Sequence, residues 1–150
     1  MKLWDKGYDI ADAVETFTVG KDRELDLFLA PYDVLGTMAH ITMLESIGLL
    51  EADELKTLLE ELKAIYGQIE AGDFVIEEGI EDVHSQVELM LTLKLGDVGK
   101  KVHSGRSRND QVLVDLKLYF LAEIEQITSL MGELFTTRKY NFKSTRTWSI

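Results

Sequence analysis

Lys101-Val102-His103-Ser104-Gly105-Arg106-Ser107-Arg108-Asn109-Asp110-Gln111 is a polar, cation-rich segment that runs straight into a long helical pattern. From there Val112, Leu116, Phe120, Ile124, Ile127, Leu130, Met131 and Leu134 recur three or four residues apart, the period of an amphipathic helix. Ser107 followed three residues on by Asp110 approximates an N-capping pair, and Asn109 is itself a good cap. The spacing therefore predicts a helix that starts between Ser107 and Asp110. A helix start carries unpaired N–H groups and partial positive charge. With Arg106 and Arg108 beside it, the junction is a candidate seat for a carboxylate or phosphate. The same residues also fit a plain helix cap flanked by two solvated arginines.

Upstream the chain reads as helix after helix. Val34, Leu35, Met38, Ile41, Leu44 and Ile47 form an apolar stripe after Pro31, which suits a first helical turn, and the stripe ends at Gly48. His40 inside it reads as a partly buried packing residue. Leu55, Leu58, Leu59, Leu62, Ile65, Tyr66 and Ile69 define the face of a second helix that ends at Gly72. Phe74-Val75-Ile76 fits a short extended connection, and Glu81-Asp82-Val83-His84 opens a third helix with acids in its first turn, running to about Leu95. The first twenty residues are too irregular to assign and are expected to pack as an arm or short helix. One proline and no alternating strand pattern in 150 residues predict an all-α fold.

Composition narrows the partners. With 27 acidic against 16 basic residues and a net charge of -11, the chain should repel nucleic acid and anionic membrane. It has no cysteine, which excludes thiolate chemistry, and no pair of its three histidines has helical metal-ligand spacing, so neither a zinc site nor any cofactor is expected. No apolar run resembles a signal peptide or a bilayer span, which predicts a cytoplasmic protein. Residues 136–150 differ in character: they hold Arg138, Lys139, Lys143 and Arg146 and no acid, and the apolar period stops at Phe135. A shifted reading frame or broken gene is the expected origin of this tail.

Gly105-Arg106-Ser107-Arg108-Asn109-Asp110-Gln111 resembles the signature of argininosuccinate lyases, members of the fumarase/aspartase superfamily. Tyr32-Asp33-Val34-Leu35-Gly36 and Glu81-Asp82-Val83-His84 are similar to further elements of that family, and the likeness runs from Lys2 to about Phe135. It implies an N-terminal helical domain over residues 1–107, the start of a central helical bundle over 108–135, truncated there, and a divergent tail over 136–150. It also implies cleavage of argininosuccinate to arginine and fumarate in a homotetramer. Ser107, Arg108 and Asn109 match substrate-binding positions, while Arg106, Asp110 and Gln111 match positions that hold the loop. His84 and His103 are open between touching substrate and supporting the loop. Asp22 stands where many relatives carry a substrate-binding serine. No catalytic residue is assigned, because the family's Thr-His pair and its Gly-Ser-Ser-x-Met-Pro loop have no match here, and the isolated chain is expected to be inactive. Adenylosuccinate lyase and aspartase are alternatives within the superfamily. A noncatalytic helical interaction module, pairing through Val112 to Leu134, is the alternative outside it.

Overall fold

The computed structural model describes the backbone of residues 21–145 and the side chains up to residue 139, Asp22 excepted. The expected N-terminal arm, the Asp22 side chain and the last five residues of the tail lie outside the described residues. Every regular element described is helical: α1 (Asp22–Asp26), α2 (Ala30–Ser46), α3 (Ala52–Ala71), α4 (Val83–Leu95), α5 (Asp97–Lys100), a 3₁₀ turn (Lys101–His103) and α6 (Arg108–Thr145). The all-α expectation is thus met, and no described helix is long and apolar enough to cross a membrane. The chain forms two compact units, one ending at Leu116 and one beginning at Lys117.

In the first unit α2 and α3 pack along each other and α4 packs against both. The helix ends are written in the sequence. Glu51 and Glu54 form a reciprocal capping box at the start of α3, and Gly72, at φ 77°, closes its end in the left-handed conformation that disfavours side chains. Asp82 caps α4 by accepting a hydrogen bond from Ser85 N at 2.7 Å. Glu81 and Asp82 therefore precede the first turn instead of lying in it, because a carboxylate that caps must itself stay extended. Gly99 lets the chain turn back onto α4: a Cβ there would collide with the backbone carbonyl of Leu91.

The core of this unit is Ala30, Val34, Ile41 and Leu44 of α2, Leu58, Leu62 and Ile65 of α3, and Val83, Val87 and Leu91 of α4, joined by Leu50, Phe74 and Val102. Fully burying one such aliphatic side chain stabilises by about 1.5–3 kcal/mol. The α3 stripe is buried or half-buried at every expected position. The α2 stripe is not. Leu35 and Ile47 are exposed, and the buried face turns toward Asp33 and Thr37 instead. The reason is that those two polar groups find buried partners, described below, whereas no described residue of the unit buries Leu35 or Ile47.

Helix α6 starts at Arg108, within the expected window, with Ser107 as its cap and Asn109 already inside it. It does not stop with the apolar period at Phe135 but continues to Thr145. No glycine or proline interrupts residues 133–145, so the backbone meets no breaker there and the helix continues past the last apolar position of the stripe.

Candidate functional site

The loop between the 3₁₀ turn and α6 is tied down at Ser104, Arg106 and Ser107. His40 Nε2 donates to Ser104 O at 2.8 Å, which fixes the protonated ring nitrogen, since a carbonyl only accepts. His40 thus anchors the loop and is more than a packing residue. Gly105 takes φ 72°, a left-handed turn that favours glycine, and sends Arg106 inward, where its Nη2 donates to Thr37 Oγ1 at 3.1 Å. Ser107 and Asp110 close a reciprocal box: Ser107 N and Oγ both donate to Asp110 Oδ2 at 3.0 Å, and Asp110 N donates back to Ser107 Oγ at 3.3 Å. These bonds, backbone first, hold the Asp110 carboxyl below the usual range.

Behind the loop lies a buried cluster of ionisable groups. Asp33, His84 and Asp115 are each at most 3 % exposed, and Gln111 is 5 % exposed. His84 Nδ1 shares a hydrogen bond with Asp33 Oδ1 at 2.8 Å and stands 3.5 Å from Asp115 Oδ2. Burial penalises the charged imidazole, but the Asp33 hydrogen bond and the charges of Asp33, Asp82 and Asp115 outweigh it and raise the His84 pKa. Burial, with the Asp33 charge, pushes Asp115 up to about 7 against the pull of His84 and Arg106. Burial also lowers the pKa of Arg106, which Asp33 and Asp115 partly offset. Two carboxylates face two potential cations, so the cluster is near neutrality when His84 carries a proton. The ligand atoms of Asp33, His84 and Asp115 lie within 4.8 Å of one another, a spacing that a metal ion could also share. The short Asp33–His84 hydrogen bond demands a proton between those atoms, however, and occupies the ring nitrogen that faces both carboxylates.

The outer side of the loop carries the other candidates. Arg108 is partly buried, donating from Nη1 to Gln111 Oε1 at 3.2 Å and from Nη2 to Ser85 Oγ at 3.3 Å, with Nε 3.7 Å from Asp82 Oδ2. Ser107 and Asn109 are exposed beside it, and Asp110 is exposed in its capping role. Gln111 links this layer to the one below, its Nε2 donating to Asp33 Oδ1 at 2.6 Å. His84 reaches Arg108 only through Asp33 and Gln111, and His103 is half-buried with an Nδ1 that meets no partner. Burial, followed by the Arg108, Arg106 and His40 charges, lowers the His103 pKa against Glu88. Burial likewise lowers that of His40. A cavity of about 110 Å³ opens beside the loop, lined by Gly36, His40, Arg106, Asp110, Gln111, Val114 and Asp115.

The sequence pattern pointed to the loop and to His84 but missed Asp33 and Thr37 of α2, Ser85 of α4 and Asp115 of α6. A signal was available. Thr37 falls in the core-facing register of Val34 and Ile41, and Arg108, Gln111 and Asp115 follow one another at spacings of three and four, which puts them on one helix face.

The model of a family described as Lyase matches residues 13–145. Over 134 residues, 89 % of this chain, the sequence is 67 % identical to an argininosuccinate lyase of Phocaeicola vulgatus and 65 % identical to one of Bacteroides thetaiotaomicron. It is 47 % identical over 137 residues, 90 % of this chain, to an argininosuccinate lyase of Methylococcus capsulatus. The chain spans about 30 % of the length of these curated relatives. A match that runs from residue 13 through the loop and along α6 bears out the resemblance carried by Gly105 to Gln111: the chain belongs to the lyase family, and the relatives just named are argininosuccinate lyases.

Proposed function

We propose that this chain works as part of an argininosuccinate lyase, a C–N lyase that cleaves argininosuccinate to arginine and fumarate in arginine biosynthesis, and that Ser107, Arg108 and Asn109 grip the succinyl carboxylates. The observation that carries this reading is their convergence at the N-terminal end of α6, with Arg108 braced by Gln111 and Ser85 while Ser107 and Asn109 face outward. In the elimination a base removes a proton next to a carboxylate, that carboxylate takes up the developing negative charge, and the C–N bond breaks. Donors fixed in advance around the carboxylate lower the barrier. A guanidinium, a hydroxyl, an amide and the free N–H groups of a helix start are such donors.

Arg106, Asp110 and Gln111 hold the loop, His84 supports it through Asp33 and Gln111, and His103 lies in the turn that leads into it. None of these groups is assigned the proton abstraction, so the 150-residue chain by itself is expected to bind carboxylate ligands without turning over. No metal or cofactor enters this scheme. The same proposal assigns the chain to the cytoplasm and to a homotetramer without nucleic-acid or membrane partners. The acidic excess supports the absence of nucleic-acid and membrane partners, and the exposed apolar residues from Phe120 to Phe135 support the assembly.

Calorimetric titration with argininosuccinate, fumarate and adenylosuccinate tests the reading. Arg108→Ala or Asn109→Ala should weaken argininosuccinate binding about tenfold or more, the loss of one charge-assisted hydrogen bond. Tighter binding of adenylosuccinate than of argininosuccinate would overturn the substrate.

A further inference from the structure

A continuous line of short contacts joins the buried cluster to the outer arginine. It runs from Asp115 to His84 Nδ1, to Asp33 Oδ1, to Gln111 Nε2, and from Gln111 Oε1 to Arg108 Nη1, at 3.5, 2.8, 2.6 and 3.2 Å in turn. The Gln111 amide has no freedom in this line. Its NH₂ must face the Asp33 carboxylate and its oxygen the Arg108 guanidinium, so any change at Asp33 reaches Arg108 through one rigid group. Three oxygens of the cluster, Asp33 Oδ2 and both of Asp115, accept no hydrogen bond from the protein. For Asp115 this leaves the charge state open, since no donor fixes it as a carboxylate.

We propose that Asp115 is a positioning residue: with His84 and Asp33 it shares a buried proton, and the line through Asp33 and Gln111 transmits the charge state of this cluster to Arg108, the cation offered to a dicarboxylate. When Asp115 is protonated, His84 belongs to Asp33 alone. When Asp115 ionises, it competes for the imidazolium, Asp33 is left with more negative charge, and the pull on Gln111 and Arg108 grows while the local potential turns against an anion. The charged and titratable groups facing Asp115 are Asp33 of α2, His84 of α4, Arg106 of the loop and Asp26 of α1, with Asp82 acting on His84. That Arg108 receives a dicarboxylate rests on the function proposed above, whereas its coupling to Asp115 does not.

The test is an NMR titration of the 150-residue chain, following the side-chain carboxyl carbon of Asp115 and the Nε–Hε resonance of Arg108. Both should move with one midpoint at about 7. In Asp115→Asn the Arg108 response should vanish, and in Gln111→Leu Asp115 should still titrate while Arg108 no longer follows. Fumarate added to the wild type should bind about fivefold more weakly above this midpoint than below it, the low end for coupling between two sites, and with equal strength in Asp115→Asn. An Arg108 signal that stays fixed while Asp115 titrates in the wild type overturns the proposal, as does an Asp115 midpoint in the ordinary carboxylate range. The wild-type and Gln111→Leu titrations decide this even if Asp115→Asn fails to fold. If the two signals move together and fumarate does not bind at any pH, the coupling stands and the dicarboxylate reading falls.

Discussion

The two stretches of helix α6 invert the usual relation between polarity and burial. Residues 108–116 bury Gln111 and Asp115 while leaving Leu113 and Val114 more than 40 % exposed. Residues 117–139 expose Phe120, Leu121, Ile124, Ile127, Leu130, Met131, Leu134 and Phe135, each by half or more, and bury no described side chain. In the first stretch a polar group goes inside because a specific partner waits there: Asp33 for Gln111, His84 for Asp115. In the second, apolar residues recur at the helical period and no described residue covers them. Burial in the first follows polar partners, a hydrogen bond for Gln111 and a charged neighbour for Asp115, and the apolar face of the second supports the proposed assembly with other helices.

The sharpest way to break this contrast is to remove the acceptor on which the first stretch depends. Asp33→Ala leaves His84 and Gln111 without their shared partner inside the unit, and deleting one side of a buried charged pair costs about 3–5 kcal/mol. Urea denaturation should show a loss of this size, and a loss under about 1 kcal/mol would mean that water replaces Asp33 freely.

Acidity acts on the same stretch with a smaller effect. Asp115 has a folded pKa of about 7, above its unfolded value, so its contribution is complete below the unfolded pKa and is lost as pH rises through 7. His84 is also raised, so its contribution declines from the unfolded histidine value upward. Both slopes point the same way, and the urea midpoint should fall between about pH 5 and pH 8. Asp115→Asn should flatten the lower part of that fall and leave the part above about pH 6.5. A wild-type midpoint that rises over this range would contradict the buried pair of carboxylates.

The contrast also separates what could be read from the sequence from what could not. The α3 face, its Glu51–Glu54 start and its Gly72 stop were legible, because helix period and cap chemistry are local properties of the chain. The loop was legible through a resemblance carried by seven consecutive residues, and the lyase family match confirms that resemblance. The buried cluster was not. Asp33, His84 and Asp115 come from three helices and acquire meaning only when α2, α4 and the start of α6 are brought together. A spacing argument along one helix cannot assemble them. Leu35 and Ile47 were misplaced for a related reason: the stripe was drawn through apolar residues only, and Thr37, which holds Arg106, was not counted toward the core.

Where the first stretch meets the loop, the cap is the next lever. Ser107→Ala removes the hydroxyl that accepts from Asp110 N and donates to Asp110 Oδ2, a change worth about 1 kcal/mol for a typical N-cap. The cost should appear in urea denaturation at neutral pH, and Ser107→Thr should restore most of it.

The smallest effect on folding is expected where the apolar residues are most exposed. Ile124 and Leu130 are 60 % and 55 % exposed, so Ile124→Asp and Leu130→Asp remove little buried surface and should change the unfolding free energy by no more than about 0.5 kcal/mol. The same substitutions place a charge in the middle of an uncovered apolar stripe, where another helix would have to desolvate it. Sedimentation or size-exclusion analysis should therefore show the wild type associating with concentration and the double variant staying monomeric, while Asp33→Ala shifts stability in the opposite proportion. A double variant that unfolds as readily as Asp33→Ala would mean that residues 117–139 already have cover within the chain, and the inversion between the two stretches would disappear.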